Sequence, residues 1–236
     1  MKKERQYEFD GLLPTFRNGS DDALAFAGEA ARQGIDGVFA YDHLWPMGSP
    51  ERPALSPFPV LSAIASKHEA LIVAPLVARV GLVGTHHLVN QFRTLNALAP
   101  GRVIAALGTG DRLSADENEA YGLMSLSGAE RRELMIDAAT ELLDEMPVWF
   151  GGGSDATNQL AIDLGAEINL WNAQPHEVEK MSEFATVNWA GNTPEDTHGL
   201  LDGLASAGAT WAIFGPSVQI HDLKEWRESN SVSKLP

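Results

Sequence analysis

The sequence predicts an α/β protein folded as a (β/α)8 barrel, and three observations carry that prediction. Short apolar runs alternate along the whole chain with segments of helical spacing. The alternation occurs eight times, the number that closes a parallel sheet into a barrel. Composition does not shift anywhere along the 236 residues, so no linker divides them, and barrels of roughly 200–250 residues ordinarily count as one domain. Residues 1–236 are therefore expected to form a single compact barrel. A doubly wound open sheet shares the alternation, but such sheets usually stop at about five or six strands.

The first strand is expected at Glu8–Leu13, closed by Pro14, with Ser20-Asp21-Asp22 starting a helix whose Leu24, Ala27 and Ala31 share one face. Gly34 ends that helix, and Gly37–Tyr41 is the second strand. Pro46, Pro50, Pro53, Pro57 and Pro59 keep the next loop irregular until a helix carrying Val60, Ile64 and Ala65. Leu71–Val77 is the third strand; a helix with Leu88, Phe92, Leu95 and Leu98 follows, and Pro100-Gly101 stops it before the fourth strand, Arg102–Leu107. A loop from Gly108 to Ser127 leads to the helix Gly128–Glu145, which runs directly into strand five at Pro147–Phe150. The remaining units are shorter, with strands at Ala166–Leu170, Ala185–Trp189 and Thr210–Phe214. Their helices span Ser154–Leu164, Pro175–Phe184, Pro194–Ala207 and His221–Glu228.

Charge and composition narrow the function classes. Seventeen Lys and Arg against 32 Asp and Glu give a net charge of −15, which repels a phosphate backbone and speaks against nucleic-acid binding. The absence of cysteine excludes a disulfide framework, a thiolate nucleophile and a Cys-ligated metal. His86-His87 are adjacent rather than spaced i, i+4, so no metal site is expected. The N-terminus lacks the apolar core of a signal peptide and no stretch is long enough to span a bilayer, so the expected location is the cytoplasm, with no membrane partner. Neither G-x-S-x-G nor G-x-x-x-x-G-K-[ST] occurs, which disfavours an α/β-hydrolase and a P-loop NTPase.

In a barrel the chemistry sits at the C-terminal ends of the strands. Asp42-His43-Leu44-Trp45 follow strand two and offer a carboxylate, an imidazole that titrates near neutrality, and an aromatic face. Gly108-Thr109-Gly110-Asp111 follow strand four, where two glycines let the backbone come close to a flat or anionic ligand and Asp111 can carry a proton. Gly151-Gly152-Gly153-Ser154 follow strand five and open a helix, the arrangement of an anion site built from glycines and the first helical N–H groups. A tight turn without a ligand is the alternative for each glycine string, and three successive glycines, costly to order, weigh against it at Gly151–Gly153.

Taken together, Gly37–Pro46, Gly101–Asp111 and Pro147–Gly152 resemble the bacterial luciferase-like monooxygenase superfamily, and within it the deazaflavin (coenzyme F420)-dependent oxidoreductases. The resemblance implies a (β/α)8 barrel with a flavin or deazaflavin at its mouth. Asp42 would bond the ring, His43 would act in catalysis as acid/base or as stabiliser of the reduced anion, and Asp111 would stand in the place of a catalytic proton donor. Pro75-Leu76 would form a non-prolyl cis bulge behind the ring, with Gly108, Thr109 and Gly110 passing close to it. Gly151, Gly152, Gly153 and Ser154 would receive the ribityl phosphate, and Trp45 would line the substrate pocket. Arg17, Arg79 and Arg112 are the cations available near the mouth for an anionic cofactor tail. The resemblance implies hydride transfer between F420 and a small organic substrate. An FMN-dependent monooxygenase and a non-catalytic flavin-binding protein are the alternatives. A homodimer is common in the family. This chain lacks the usual insertion before strand five, because Glu145-Met146-Pro147 connect helix and strand directly.

Overall fold

The computed structural model describes residues 7–46, 48–110, 114–123 and 125–232. Its strands are β1 (Glu8–Leu12), β2 (Gly37–Ala40), β3 (Ile72–Pro75), β4 (Ala78–Arg79), β5 (Ala105–Gly108), β6 (Val148–Gly152), β7 (Glu167–Trp171), β8 (Val187–Gly191) and β9 (Ala209–Phe214). The helices are α1 (Asp21–Gln33), α2 (Pro57–Lys67), α3 (Thr85–Leu98), α4 (Ala115–Ala120), α5 (Gly128–Leu142), α6 (Asp155–Leu164), α7 (Pro175–Ser182), α8 (Thr197–Ser206) and α9 (Ile220–Val232). All ladders between these strands are parallel, in the order β3-β2-β1-β9-β8-β7-β6-β5-β4.

Of the two outer members of that order, β3 falls inside the run expected at Leu71–Val77, whereas β4 begins just after it, so the chain breaks where a single strand is expected to end. β3 pairs with β2 (Ala40↔Pro75) and β4 with β5 (Ala78↔Leu107), so the barrel closes through the break. A bridge between Val73 and Val103 completes the closure lower down. The Leu76–Val77 peptide between the two strands is cis, one bond beyond the expected Pro75-Leu76 position.

Local chemistry sets the helix ends. Gly34 closes α1 in the left-handed region at φ 72°, its N–H reaching the Ala30 and Ala31 carbonyls. Ser127 and Glu130 form a reciprocal capping box on α5. The loop expected from Gly108 to Ser127 instead contains α4. Its six residues, Ala-Asp-Glu-Asn-Glu-Ala, carry no apolar stripe to announce a helix, and the residue it buries is Glu117.

Side chains alternate across the strands between two apolar layers. The outer layer packs the sheet on the helices through residues such as Phe9, Val38, Leu107, Phe150 and Phe214. The inner layer fills the barrel with Leu12, Phe39, Ala74, Leu76, Ile104, Ala106, Trp149, Ala190, Trp211 and Ile213. At its centre Phe39 stacks on Trp149 with centroids 5.6 Å apart, and Trp211 meets Trp149 edge-on at 5.4 Å. The barrel is thus plugged, and space for a ligand remains above this aromatic layer. Among the described residues, no helix is long and apolar enough to cross a membrane.

Asp10 shares the inward face of β1 with Leu12 and is fully buried. Burial first, then the like charges of Asp36 and Glu8, push its carboxyl well above the usual range. A raised carboxyl favours the fold below the unfolded-state value of about 3.9 and loses that contribution as pH rises through the folded-state value. Asp10→Asn is therefore expected to be more stable than the parent at neutral pH, with the gap narrowing towards about pH 4. Urea unfolding of both proteins across this range checks it, and a gap that widens on acidification would count against the assignment.

Candidate active site

The C-terminal ends of the strands surround a cavity of about 570 Å³, within the roughly 300–1,000 Å³ typical of small-molecule sites. Of the residues expected there, Asp42, His43, Leu76, Gly108, Thr109, Gly110, Gly151, Gly152, Gly153 and Ser154 all line this one space. Pro75 and Trp45 do not. Pro75 ends β3 in register with Ala40, below the break, while Trp45 turns away to pack on Tyr121 at 5.8 Å. Asp111 and Arg112 lie outside the described residues. Arg17 is exposed and pairs with Asp22 at 3.1 Å.

The floor is a wedge of Leu76 and Val77, carried inward by the break between β3 and β4. Val77 explains two of the glycines. A Cβ at Gly108 would stand 2.3 Å from a Val77 methyl, and one at Gly151 would stand 3.0 Å from both Val77 methyls. Gly152 is held to hydrogen by Asn158, whose Oδ1 would be 2.3 Å from its Cβ. At Gly153 a Cβ would meet nothing within 4 Å. Gly110 needs its freedom for the backbone itself, at φ 66°.

One wall is an ionic network. Arg79, at the end of β4, donates its backbone N–H to Asp42 Oδ2 and its Nε–H to the Asp42 carbonyl, each at 2.9 Å. Its Nη2 pairs with Glu117 Oε2 at 2.7 Å. Glu117 Oε1 in turn lies 3.1 Å from His43 Nδ1. The side chains of Arg79 and Glu117 are 6% and 2% exposed, so this pair is desolvated, whereas His43, at 24%, still faces the cavity. Burial pushes the Asp42 carboxyl upward against the pull of the Arg79 N–H and charge.

The opposite side is polar at one end and aromatic at the other. Ser154 caps α6, accepting the Thr157 N–H at 3.2 Å, and its Oγ lies 3.0 Å from Thr157 Oγ1. Both residues line the cavity at a helix N-terminus, where backbone N–H groups and the helix dipole favour an anion. Asn169, on β7, is 4% exposed, and its Nδ2 has no hydrogen-bond partner among the described residues. Tyr41 stacks on Phe16 at 5.2 Å, and Trp171 stands edge-on to Tyr41 at 6.3 Å while 45% exposed at the rim. Burial holds the Tyr41 hydroxyl protonated, its pKa raised to about 12.

Sequence inspection missed Val77, Thr157, Asn169, Trp171 and Glu117. Asn169 and Trp171 occupy the end of a strand, the same positional signal that singled out Asp42 and His43. Glu117 had no such signal, because it sits in a polar segment inside an expected loop. Among the described residues no group of three His, Asp or Glu is arranged to hold a metal.

A parallel barrel with a ligand-sized, glycine-lined cavity at the strand C-termini defines a TIM-barrel protein with room for a small molecule at its mouth. The model of the luciferase-like monooxygenase family matches residues 8–140, and the chain belongs to that family. It is 37% identical over 112 residues to the F420-dependent glucose-6-phosphate dehydrogenase of Beutenbergia cavernae, a match covering 47% of this chain and 32% of that protein. It is 30% identical over 134 residues to the enzyme of the same name from Microbacterium testaceum, covering 56% of this chain and 38% of the relative. The chain thus spans about a third of the length of these curated relatives. The structure of an F420-dependent secondary alcohol dehydrogenase in complex with an F420-acetone adduct superposes with a TM-score of 0.77 at 13% identity, over 94% of this chain and 98% of that one. The coenzyme F420 dependent tetrahydromethanopterin reductase from Methanopyrus kandleri gives 0.68 at 12% identity, over 93% and 96%. At these identities the structural matches establish the barrel fold.

Removing the Arg79 cation leaves two carboxylates against each other in a desolvated wall. Arg79→Met is expected to cost about 3–5 kcal/mol of stability, and Arg79→Lys less, because a lone ammonium keeps the charge but not the forked contacts. Chemical denaturation of the three proteins measures both.

Proposed function

We propose that this chain is an F420-dependent oxidoreductase whose deazaflavin binds in the cavity at the barrel mouth beside a small organic substrate. The observation that carries the proposal is the convergence on one cavity of His43, the capped N-terminus of α6, and Asn169, a buried amide whose donor has no partner. The names of the two curated relatives support the same cofactor.

The residues present suit such a group. Gly153 and the first turn of α6 offer N–H donors and an open lip for a phosphate. Leu76 and Val77 give a flat apolar backing for a ring, and Asn169 supplies a free donor to a ring or side-chain oxygen. When bound, the deazaflavin supplies the carbon that accepts or gives up a hydride. The protein's part is to place the substrate between that ring and His43, to exclude water, and to move the accompanying proton. His43 holds that proton at the imidazole nitrogen not turned to Glu117, and Asp111, next after Gly110 in sequence, is proposed as a second proton carrier. The oxidised and reduced substrate then differ by one hydride, carried by the ring, and one proton, carried by the side chain.

Titrating the purified apo-protein with F420 and, separately, with FMN tests the cofactor. Saturable binding of F420 is expected, and tight binding of FMN with none of F420 would overturn the proposal. His43→Ala should keep F420 binding yet slow F420 turnover at least about 100-fold, the lower range for loss of a general acid/base. The assay is change in F420 absorbance with alcohols, ketones and sugar phosphates as trial substrates. At the phosphate end, Gly153→Asp places a carboxylate on the α6 N-terminus without a steric clash and should weaken F420 binding about tenfold. Gly153→Ala, with the same open space and no charge, should leave it unchanged.

A further inference from the structure

Glu117 belongs to no expected motif, yet it is one of the most buried charged residues in the molecule, at 1% exposure. Its carboxylate does not reach the cavity. One oxygen pairs with Arg79 Nη2 at 2.7 Å, and the other lies 3.1 Å from His43 Nδ1, 74 residues away in sequence. The cost of desolvating this carboxylate is met by Arg79, which leaves its second oxygen available to the imidazole. His43 is flanked otherwise by Asp42, by the Arg79 guanidinium, and by the rings of Phe16 and Tyr41 at 6.5 and 6.4 Å. Among the described residues, the acceptors within reach of Nδ1 are the two oxygens of Glu117, at 3.1 and 3.4 Å.

We propose that Glu117 is the positioning residue for His43: its carboxylate accepts the Nδ1–H, fixing the ring's orientation and tautomer so that Nε2 is the nitrogen presented to the substrate. An imidazole whose Nδ1–H is committed to a fixed acceptor has Nε2 as its acceptor in the neutral form, and the acceptor decides which nitrogen does the chemistry. Arg79 completes the device by pinning Glu117, so the short helix α4 acts as a bracket between β4 and the loop after β2. This rests on the assignment of the cavity as the redox site, but the tautomer belongs to the apo-protein and is measured without cofactor.

Nitrogen-15 NMR of the imidazoles in the labelled apo-protein at about pH 8, with the His43 signal assigned by its loss in His43→Ala, reads the tautomer directly. The neutral Nδ1–H form is expected to predominate in the wild type, and a predominant Nε2–H form there overturns the proposal whether or not any variant folds. Glu117→Gln keeps an acceptor oxygen and should keep the Nδ1–H form, whereas Glu117→Leu should lose that preference; a folded Glu117→Leu that retains it also overturns the proposal. In F420 turnover, Glu117→Leu should lower kcat about tenfold or more with KM within about twofold, and Glu117→Gln should restore part of kcat. If the tautomer is as expected and no F420 binds, the functional assignment fails while the positioning role stands.

Discussion

The buried guanidinium of Arg79 is the constraint around which the mouth of the barrel is assembled. It is placed by β4, the short strand after the break, and it binds the loop after β2 through Asp42 and the helix α4 through Glu117. Three segments separated along the chain therefore share one cation. A buried ion pair of this sort seldom adds net stability compared with an apolar filling, but removing one member exposes the full cost of the charges left behind. Its value lies in geometry: with Arg79 fixed, Asp42 and His43 are held at one wall of the cavity.

That geometry depends in turn on how the barrel closes. If the run Leu71–Val77 continued as one regular strand, Arg79 would not emerge beside Asp42 and Val77 would not lean into the cavity. Because the chain changes partners from β2 at β3 to β5 at β4, Ala78 and Arg79 take up a place beside Leu107 and Gly108. Val77 then occupies the space where side chains of β5 and β6 would stand, and glycine at 108 and 151 is the result. The glycines at the strand ends are thus explained first by the protein's own packing. Gly153, with no neighbour to avoid, is the position where an external ligand is the better explanation.

This distinction marks how far the sequence could be read. The strands and most helices were legible because their apolar residues recur with period two or near 3.6, as in Val38, Ala40 and Phe150 facing the helices while Phe39 and Trp149 face inward. The break in the third strand left no trace, since hydrophobic alternation reports which side of a sheet a residue faces and carries nothing about which neighbour it pairs with. Helix α4 was invisible for a related reason: its buried residue is a glutamate whose partners come from distant segments, and no local pattern encodes such a partner. Trp45 and Trp171 show the same limit at one residue. Both stand at or just past a strand end, but Trp45 is drawn out to Tyr121 while Trp171 stays over Tyr41 at the rim.

The short connection from α5 to β6 also has a consequence at the mouth. Leu143 to Pro147 bridge helix and strand directly at the far end of the barrel, so this connection contributes nothing to the wall of the cavity. The wall beside His43 is made by α4 and by Arg79 at the end of β4, and its inner surface is ionic rather than apolar. A charged network resists rearrangement more than an apolar lid, because sliding any member out of register leaves a buried charge unpaired. The His43 side of the cavity is therefore the rigid side. The Trp171 rim, held by ring contacts and partly exposed, has no comparable penalty for movement, so it is the side of the cavity freer to adjust.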